Sequence, residues 1–358
     1  MSQPVRYGIV GTGMMGCEHI QNIIRIPGTQ VVAVADPHPA SLDAARLACG
    51  PQPKPVATFP SVNALLEGCE LDAIVIATPN WTHAEILEPI FETDLHVLVE
   101  KPMCTTLADC HTVLKRAESH AGVFWVGLEY RYLGPVSALL QALSNGAVGR
   151  LHMFSIREHR FPFLPKVANW NRFNRNTGGT LVEKCCHFFD LMNLAIGSQA
   201  TRVMASGGQN VNHLDERYDG EAPDILDNAF VIVDYANGVR ACLDLCMFAE
   251  GSKDEQEILA VGDQGKLTCT IPTGELIHAT RSRADLSTEI IAPDPRIAHT
   301  GLHHGASYLE HLDFLACIRE GRPALVSARE GLRSVEIGVA AHRSIEEGRV
   351  IEMSELTD

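Results

Sequence analysis

The chain has no apolar run approaching the length of a transmembrane helix, which argues against a membrane-spanning protein. It also lacks an excess of positive charge. Its 29 Lys and Arg stand against 44 Asp and Glu, a net charge of −15, which disfavours nucleic acid and anionic membranes as main partners and favours solubility. No pair of C-x-x-C units occurs among the 11 cysteines, so a structural zinc site of that type is not expected, and no metal is proposed. An apolar strand pattern begins within a few residues of Met1, leaving no room for a signal peptide ahead of it, so the thiols are expected to be reduced and the protein cytoplasmic. There is no internal repeat, low-complexity tract or long linker. What is present is ordinary globular material, 46% hydrophobic and 20% charged over 358 residues, enough for two domains with sizeable cores.

The most informative stretch is Tyr7-Gly8-Ile9-Val10-Gly11-Thr12-Gly13-Met14-Met15-Gly16. An apolar run stops at a glycine cluster, and a helical pattern with Ile20, Ile23 and Ile24 on one face follows. Gly11, Gly13 and Gly16 form a G-x-G-x-x-G array. The first glycine permits a tight turn, the second lets a pyrophosphate approach the backbone, and the third lets helix and strand pack closely. The helix N-terminus then presents N–H groups to phosphate, with Met14 and Met15 in the same turn. A second apolar run, 31–35, ends in Asp36, near the spacing expected of an acid that accepts from ribose hydroxyls. An acid here repels a 2′-phosphate and no arginine follows closely, so NAD is expected over NADP. The plainer alternative is that Asp36 opens a turn before Pro37.

Further along, the continuous apolar run 71–77 reads as a parallel strand covered on both faces. It ends in Thr78-Pro79-Asn80-Trp81-Thr82-His83. Ligands of doubly wound sheets sit beyond the carboxyl ends of strands, so this loop is expected at the cofactor, with His83 a contact or merely a helix residue. The strand 96–99 ends in Glu100-Lys101-Pro102. A lysine at such a strand end, desolvated and beside a nicotinamide cation, is a candidate acid–base group, although most lysines are simply surface residues.

The glycine array, Ala77-Thr78-Pro79-Asn80 with His83, and Glu100-Lys101-Pro102 occur in the order and spacing of the Gfo/Idh/MocA oxidoreductases, which this chain resembles. The resemblance continues through Gly127 to Arg131, the turn 146–149 and the tail. It implies an α/β protein, with an N-terminal Rossmann domain over residues 1–128 and a C-terminal α/β domain over 129–358 built on a predominantly antiparallel open sheet. Glu100 and Lys101 are expected at the cofactor, and Lys101 and Arg131 at the substrate.

In the second half, the loop 161–177 combines Trp170 with prolines and asparagines, a mixture suited to stacking a sugar ring and bonding its hydroxyls. The stretch 178–192 reads as one helix, on which Glu183, His187 and Asp190 fall at i, i+4 and i+7 in a polar stripe. Such a pair is often only a surface salt bridge. Family resemblance places a catalytic histidine at His187 and its acid partner at Glu183, completing a set with Lys101. Glutamate stands where the family usually has aspartate, and Cys185 where glycine is common, so substrate geometry is expected to differ. The runs 229–235 and 239–245 flank Ala236-Asn237-Gly238, a hairpin signal, and 257–261 and 266–271 flank another turn. His299, His303 and His304 precede a helix at 308–320, with His304 a candidate substrate binder by resemblance.

The resulting expectation is an NAD-dependent oxidoreductase moving hydride between nicotinamide and a secondary alcohol of a sugar, sugar derivative or cyclitol, working as a homodimer or homotetramer. Two alternatives differ in kind: a redox-neutral glycosidase that oxidises its sugar transiently, and a dinucleotide-binding regulator without turnover. Intact Lys101 and His187 argue against the regulator, and net NADH formation separates the other two.

Overall fold

The continuous apolar strands of the first half form a parallel sheet. A computed structural model of the chain describes residues 3–51, 55–282 and 285–356, which divide into two units. The first comprises 1–129, 166–170 and 295–332, and the second the remainder. In the first unit, β1 (Val5–Val10), β2 (Thr29–Ala35), β3 (Ala57–Phe59), β4 (Ala73–Ile76), β5 (His96–Glu100) and β6 (Phe124–Gly127) make a parallel sheet in the order β3-β2-β1-β4-β5-β6. Every residue of β4 is fully buried, as a strand covered on both faces must be. The order reverses beside β1, so the crevice at the strand carboxyl ends opens next to the glycine turn.

Residues 295–332 pack with this sheet. The cause is apolar packing. Tyr308 and Leu315, on the helix Ala306–Glu320, bury against Ile26, and Phe314 meets Tyr7 and Trp125 edge to face.

The second unit carries the expected open sheet. Its strands are β7 (Leu151–His159), β8 (Ala200–Gly208), β9 (Asn228–Tyr235), β10 (Arg240–Cys246), β11 (Gln256–Gly262), β12 (Gly265–Ile271), β13 (Glu275–Thr280), β14 (Leu286–Ile290) and β15 (Ile351–Glu352). Among the described residues they lie in the order β14-β13-β12-β11-β7-β10-β9-β8-β15, and all pairs are antiparallel except β7 with β10. Both expected hairpins are present, β9–β10 and β11–β12. Val231 and Val233 on β9 are buried, while Phe230 and Ile232, which alternate with them, face outward.

The single helix expected over 178–192 is two helices. Thr180–Glu183 ends, Lys184 and Cys185 form a turn, and Cys186–Ile196 begins. The stripe of one continuous helix is therefore not formed. Asp190 instead pairs with Arg131, and the loop before it holds two short helical pieces, Val167–Arg172 and Asn174–Thr177.

Candidate active site

In the first unit, the helix α1 (Met14–Ile23) opens at Gly13, which has no side-chain cap, so its first N–H groups are available to an anion. Gly11 has φ +84°, and a Cβ there would lie 2.6 Å from the backbone of Ala77 and Thr78. A Cβ on Gly16 would come within 2.0 Å of the Gly11 carbonyl oxygen, so this glycine sets how closely helix and strand approach. A Cβ on Gly13 would enter open space, which leaves room for a phosphate against the backbone. Asp36 follows β2 and is nearly buried. Its Oδ2 accepts from the Thr12 N–H (2.9 Å) and its Oδ1 from the His38 N–H (2.8 Å), so the carboxylate is held in place by backbone. Asn80, in the loop after β4, is buried, and its Nδ2 has no hydrogen-bond partner among the described residues, a donor suited to a cofactor oxygen. A dinucleotide fits this set of groups.

His83 is fully buried. Its Nδ1 lies 3.0 Å from the Pro102 carbonyl and its Nε2 3.1 Å from the Thr78 carbonyl, so it ties together the loops after β4 and β5. Burial holds its imidazole below the usual range against those carbonyls. Thr78 itself accepts from the Thr82 hydroxyl (2.8 Å). Glu100, the last residue of β5, accepts from the Lys101 N–H (3.0 Å) and from His19 Nε2 (2.8 Å). Its carboxyl is pushed up by burial, but the hydrogen bond from His19, with Lys101 and His303 nearby, holds it below its usual range. Trp170 meets Trp81 edge to face, with centroids 5.5 Å apart. His304 is exposed in the turn before the helix Ala306–Glu320, with φ +53°.

In the second unit, Glu183, His187 and Asp190 are all buried rather than forming a surface salt bridge. Gly179, at φ +88°, precedes the short helix, and a Cβ there would strike the His342 ring at 2.2 Å. That ring accepts the Leu181 N–H (3.1 Å), capping the helix that carries Glu183. His187 stacks face to face on Tyr130, with centroids 3.9 Å apart and planes 8° from parallel. Arg131 grips Asp190 at two points, Nε to Oδ2 (2.6 Å) and Nη2 to Oδ1 (2.5 Å), so its fork braces the helix of His187.

Lys184 was not singled out by sequence. It is buried in the turn between the two helices, donates to the Tyr130 hydroxyl (2.7 Å) and lies 3.0 Å from Glu158 Oε1. Burial lowers its ammonium from the usual range, opposed by Glu158. Lys184, Glu158 and Tyr130 come from separate elements, so no spacing could have linked them. The local hint is a lysine beside Cys185 in a mostly apolar stretch, 181–189, whose other polar residues are Glu183 and His187.

The matched family models are those of the oxidoreductase family, its NAD-binding Rossmann fold over residues 5–128 and its C-terminal alpha/beta domain over 141–353. The chain belongs to this Gfo/Idh/MocA family and is an NAD-binding oxidoreductase. Among its relatives is the myo-inositol 2-dehydrogenase of Thermotoga maritima, 25% identical over 98% of this chain and 99% of that one. The inositol 2-dehydrogenase of Rhizobium meliloti is 26% identical, again over 98% and 99%. A levoglucosan dehydrogenase solved with NADH and levoglucosan shares the fold, with a TM-score of 0.86 at 21% identity, over 98% of this chain and all of that one.

Proposed function

We propose that the chain is an NAD-dependent dehydrogenase that oxidises a secondary alcohol of a cyclitol or sugar, or reduces the corresponding ketone. The observation that carries this reading is the second unit's buried polar helix pair, in which Glu183 and His187 are buried and His187 stacks on Tyr130. The full-length relatives named for inositol oxidation support the substrate class.

NAD, when bound at the glycine turn, Asp36 and Asn80, supplies the hydride acceptor. His187 takes the hydroxyl proton as general base, a task suited to imidazole near neutral pH. Glu183 orients that imidazole and favours the imidazolium that forms. Lys101, at the end of β5, polarises the substrate oxygen and stabilises developing negative charge. Trp170 and His304 contribute substrate contacts. A cytoplasmic location, which would keep the thiols reduced, is part of this proposal.

The test is NADH formation on a panel of myo-inositol, scyllo-inositol and simple pyranoses. Accumulating NADH with one of them supports a dehydrogenase. A glycoside cleaved without net NADH would overturn it in favour of the redox-neutral reaction, and tight NAD binding with no turnover on any would favour the regulator.

A further inference from the structure

Lys101 is anchored through its backbone by a buried assembly that the proposed reaction does not use. Its N–H donates to Glu100 Oε2 (3.0 Å), and Glu100 Oε1 lies 2.8 Å from His19 Nε2. The opposite nitrogen of His19, Nδ1, lies 2.8 Å from His311 Nε2, with the two rings edge to face. His19, Glu100 and His311 are 1%, 5% and 1% exposed. They come from three elements of the first unit: α1, the end of β5, and the helix Ala306–Glu320.

The direction of donation follows from the two ends. An ionised carboxylate only accepts, so the His19 Nε2 carries hydrogen. At the other end, His311 Nδ1 has no partner among the described residues. Buried N–H groups are rarely left orphaned, so that nitrogen is the bare one and the hydrogen sits on His311 Nε2. Burial, with His19 beside it, drives His311 well below the usual imidazole range, which agrees with a neutral ring. Every donor in the chain therefore points toward Glu100, and both oxygens of Glu100 are occupied, one by His19 and one by the Lys101 backbone.

We propose that His19, backed by His311, is the positioning residue for Lys101: it fixes the Glu100 carboxylate, which fixes the backbone that carries the lysine. Its significance for turnover rests on the role given above to Lys101. Because His19 lies on the helix that opens at the glycine turn, the cofactor turn and Lys101 are built on one hydrogen-bonded frame. Without His19, Glu100 is a buried carboxylate with a bare oxygen, which must protonate or turn, and the Lys101 N–H then loses its fixed acceptor.

The test reads Lys101 itself. In the full chain, trace acetylation with acetic anhydride followed by peptide mass spectrometry gives the reactivity of the Lys101 amine, with Lys115 and Lys266 as exposed references. His19→Leu is expected to change Lys101 labelling about threefold or more. His19→Gln, whose amide can donate to Glu100 and accept from His311, is expected to restore it. NAD affinity by calorimetry is expected to stay within about twofold, because the glycine turn and Asp36 are untouched. Should His19→Leu fail to fold, His311→Leu, which keeps the bond to Glu100 but removes its backing, is expected to shift labelling by about twofold. Wild-type labelling in whichever of the two leucine variants folds, or no recovery in His19→Gln, overturns the proposal. A Lys101→Ala enzyme with full turnover would instead sink the catalytic reading of Lys101 and leave the labelling result standing.

Discussion

At the scale of single residues, the glycine turn was legible because backbone geometry demands it. Gly11 occupies a left-handed conformation against Ala77, and Gly16 touches the Gly11 carbonyl, so only glycine serves at either position. Asp36 is likewise readable from its place at the end of an apolar run. Asp36→Ser is expected to narrow the preference for NAD over NADP by about tenfold, measured by calorimetry with both dinucleotides. Equal affinity in the unaltered protein would remove the role given to Asp36. His187→Ala and Lys101→Ala are each expected to lower kcat roughly 10²-fold or more. NAD binding should be little changed in His187→Ala, and Glu183→Gln should be the milder change. Collapse of NAD binding with turnover retained in His187→Ala would make this helix structural. Lys184 and His19 escaped the sequence reading because their partners lie on other elements. A lysine or histidine in an apolar stretch does not announce which carboxylate it will meet.

At the scale of elements, the interruption at Lys184 and Cys185 changes how the polar stretch works. A continuous helix would have aligned Glu183, His187 and Asp190. The turn instead buries Lys184 against Glu158 and Tyr130 and leaves Asp190 to Arg131. Removing the lysine alone leaves the buried Glu158 carboxylate with the longer contact to Arg160 (3.6 Å), whereas removing both charges leaves no buried carboxylate there. Lys184→Met is therefore expected to lower stability by about 3 kcal/mol, and Lys184→Met with Glu158→Gln to recover most of it, as read by urea unfolding. Equal stability of the single and double variants would deny the pair its role. The cap on the preceding helix is pH-sensitive. Burial holds the His342 imidazole down to about 4, so it stays neutral and keeps accepting from Leu181. The unfolded chain takes up this proton near the ordinary value of about 6.5, and the folded chain only near 4. The stability it contributes is present above that ordinary value and is lost as pH falls toward 4, by at most about 1.4 kcal/mol per pH unit. His342→Leu should flatten the acid side of the stability profile in this window. An unaltered slope would show that another group controls it.

At the scale of the whole molecule, the second sheet leaves one face with large apolar side chains in the open. Met153 on β7, Met204 on β8, and Phe230 and Ile232 on β9 are 58%, 47%, 66% and 41% exposed. Exposed apolar surface of this kind marks an interface, and we propose that it pairs with a second copy to give a homodimer or homotetramer. Sedimentation at micromolar concentration should show an oligomer, and Phe230→Glu with Ile232→Glu should yield monomer. A monomeric unaltered protein would refute this. The sequence by itself determined the glycine turn, Asp36, the strand-end lysine, the alternation of β9 and the two hairpins. These are local, because turn geometry and the period of a strand are written within a few residues. Only the tertiary structure decided that residues 295–332 pack with the first sheet, that the helix breaks at Lys184, and that His19, Glu100 and His311 form one hydrogen-bonded chain. Each depends on burial of side chains brought together from distant parts of the chain. The cost of burying a polar group without a partner, which selects those arrangements, exists only once the chain has folded.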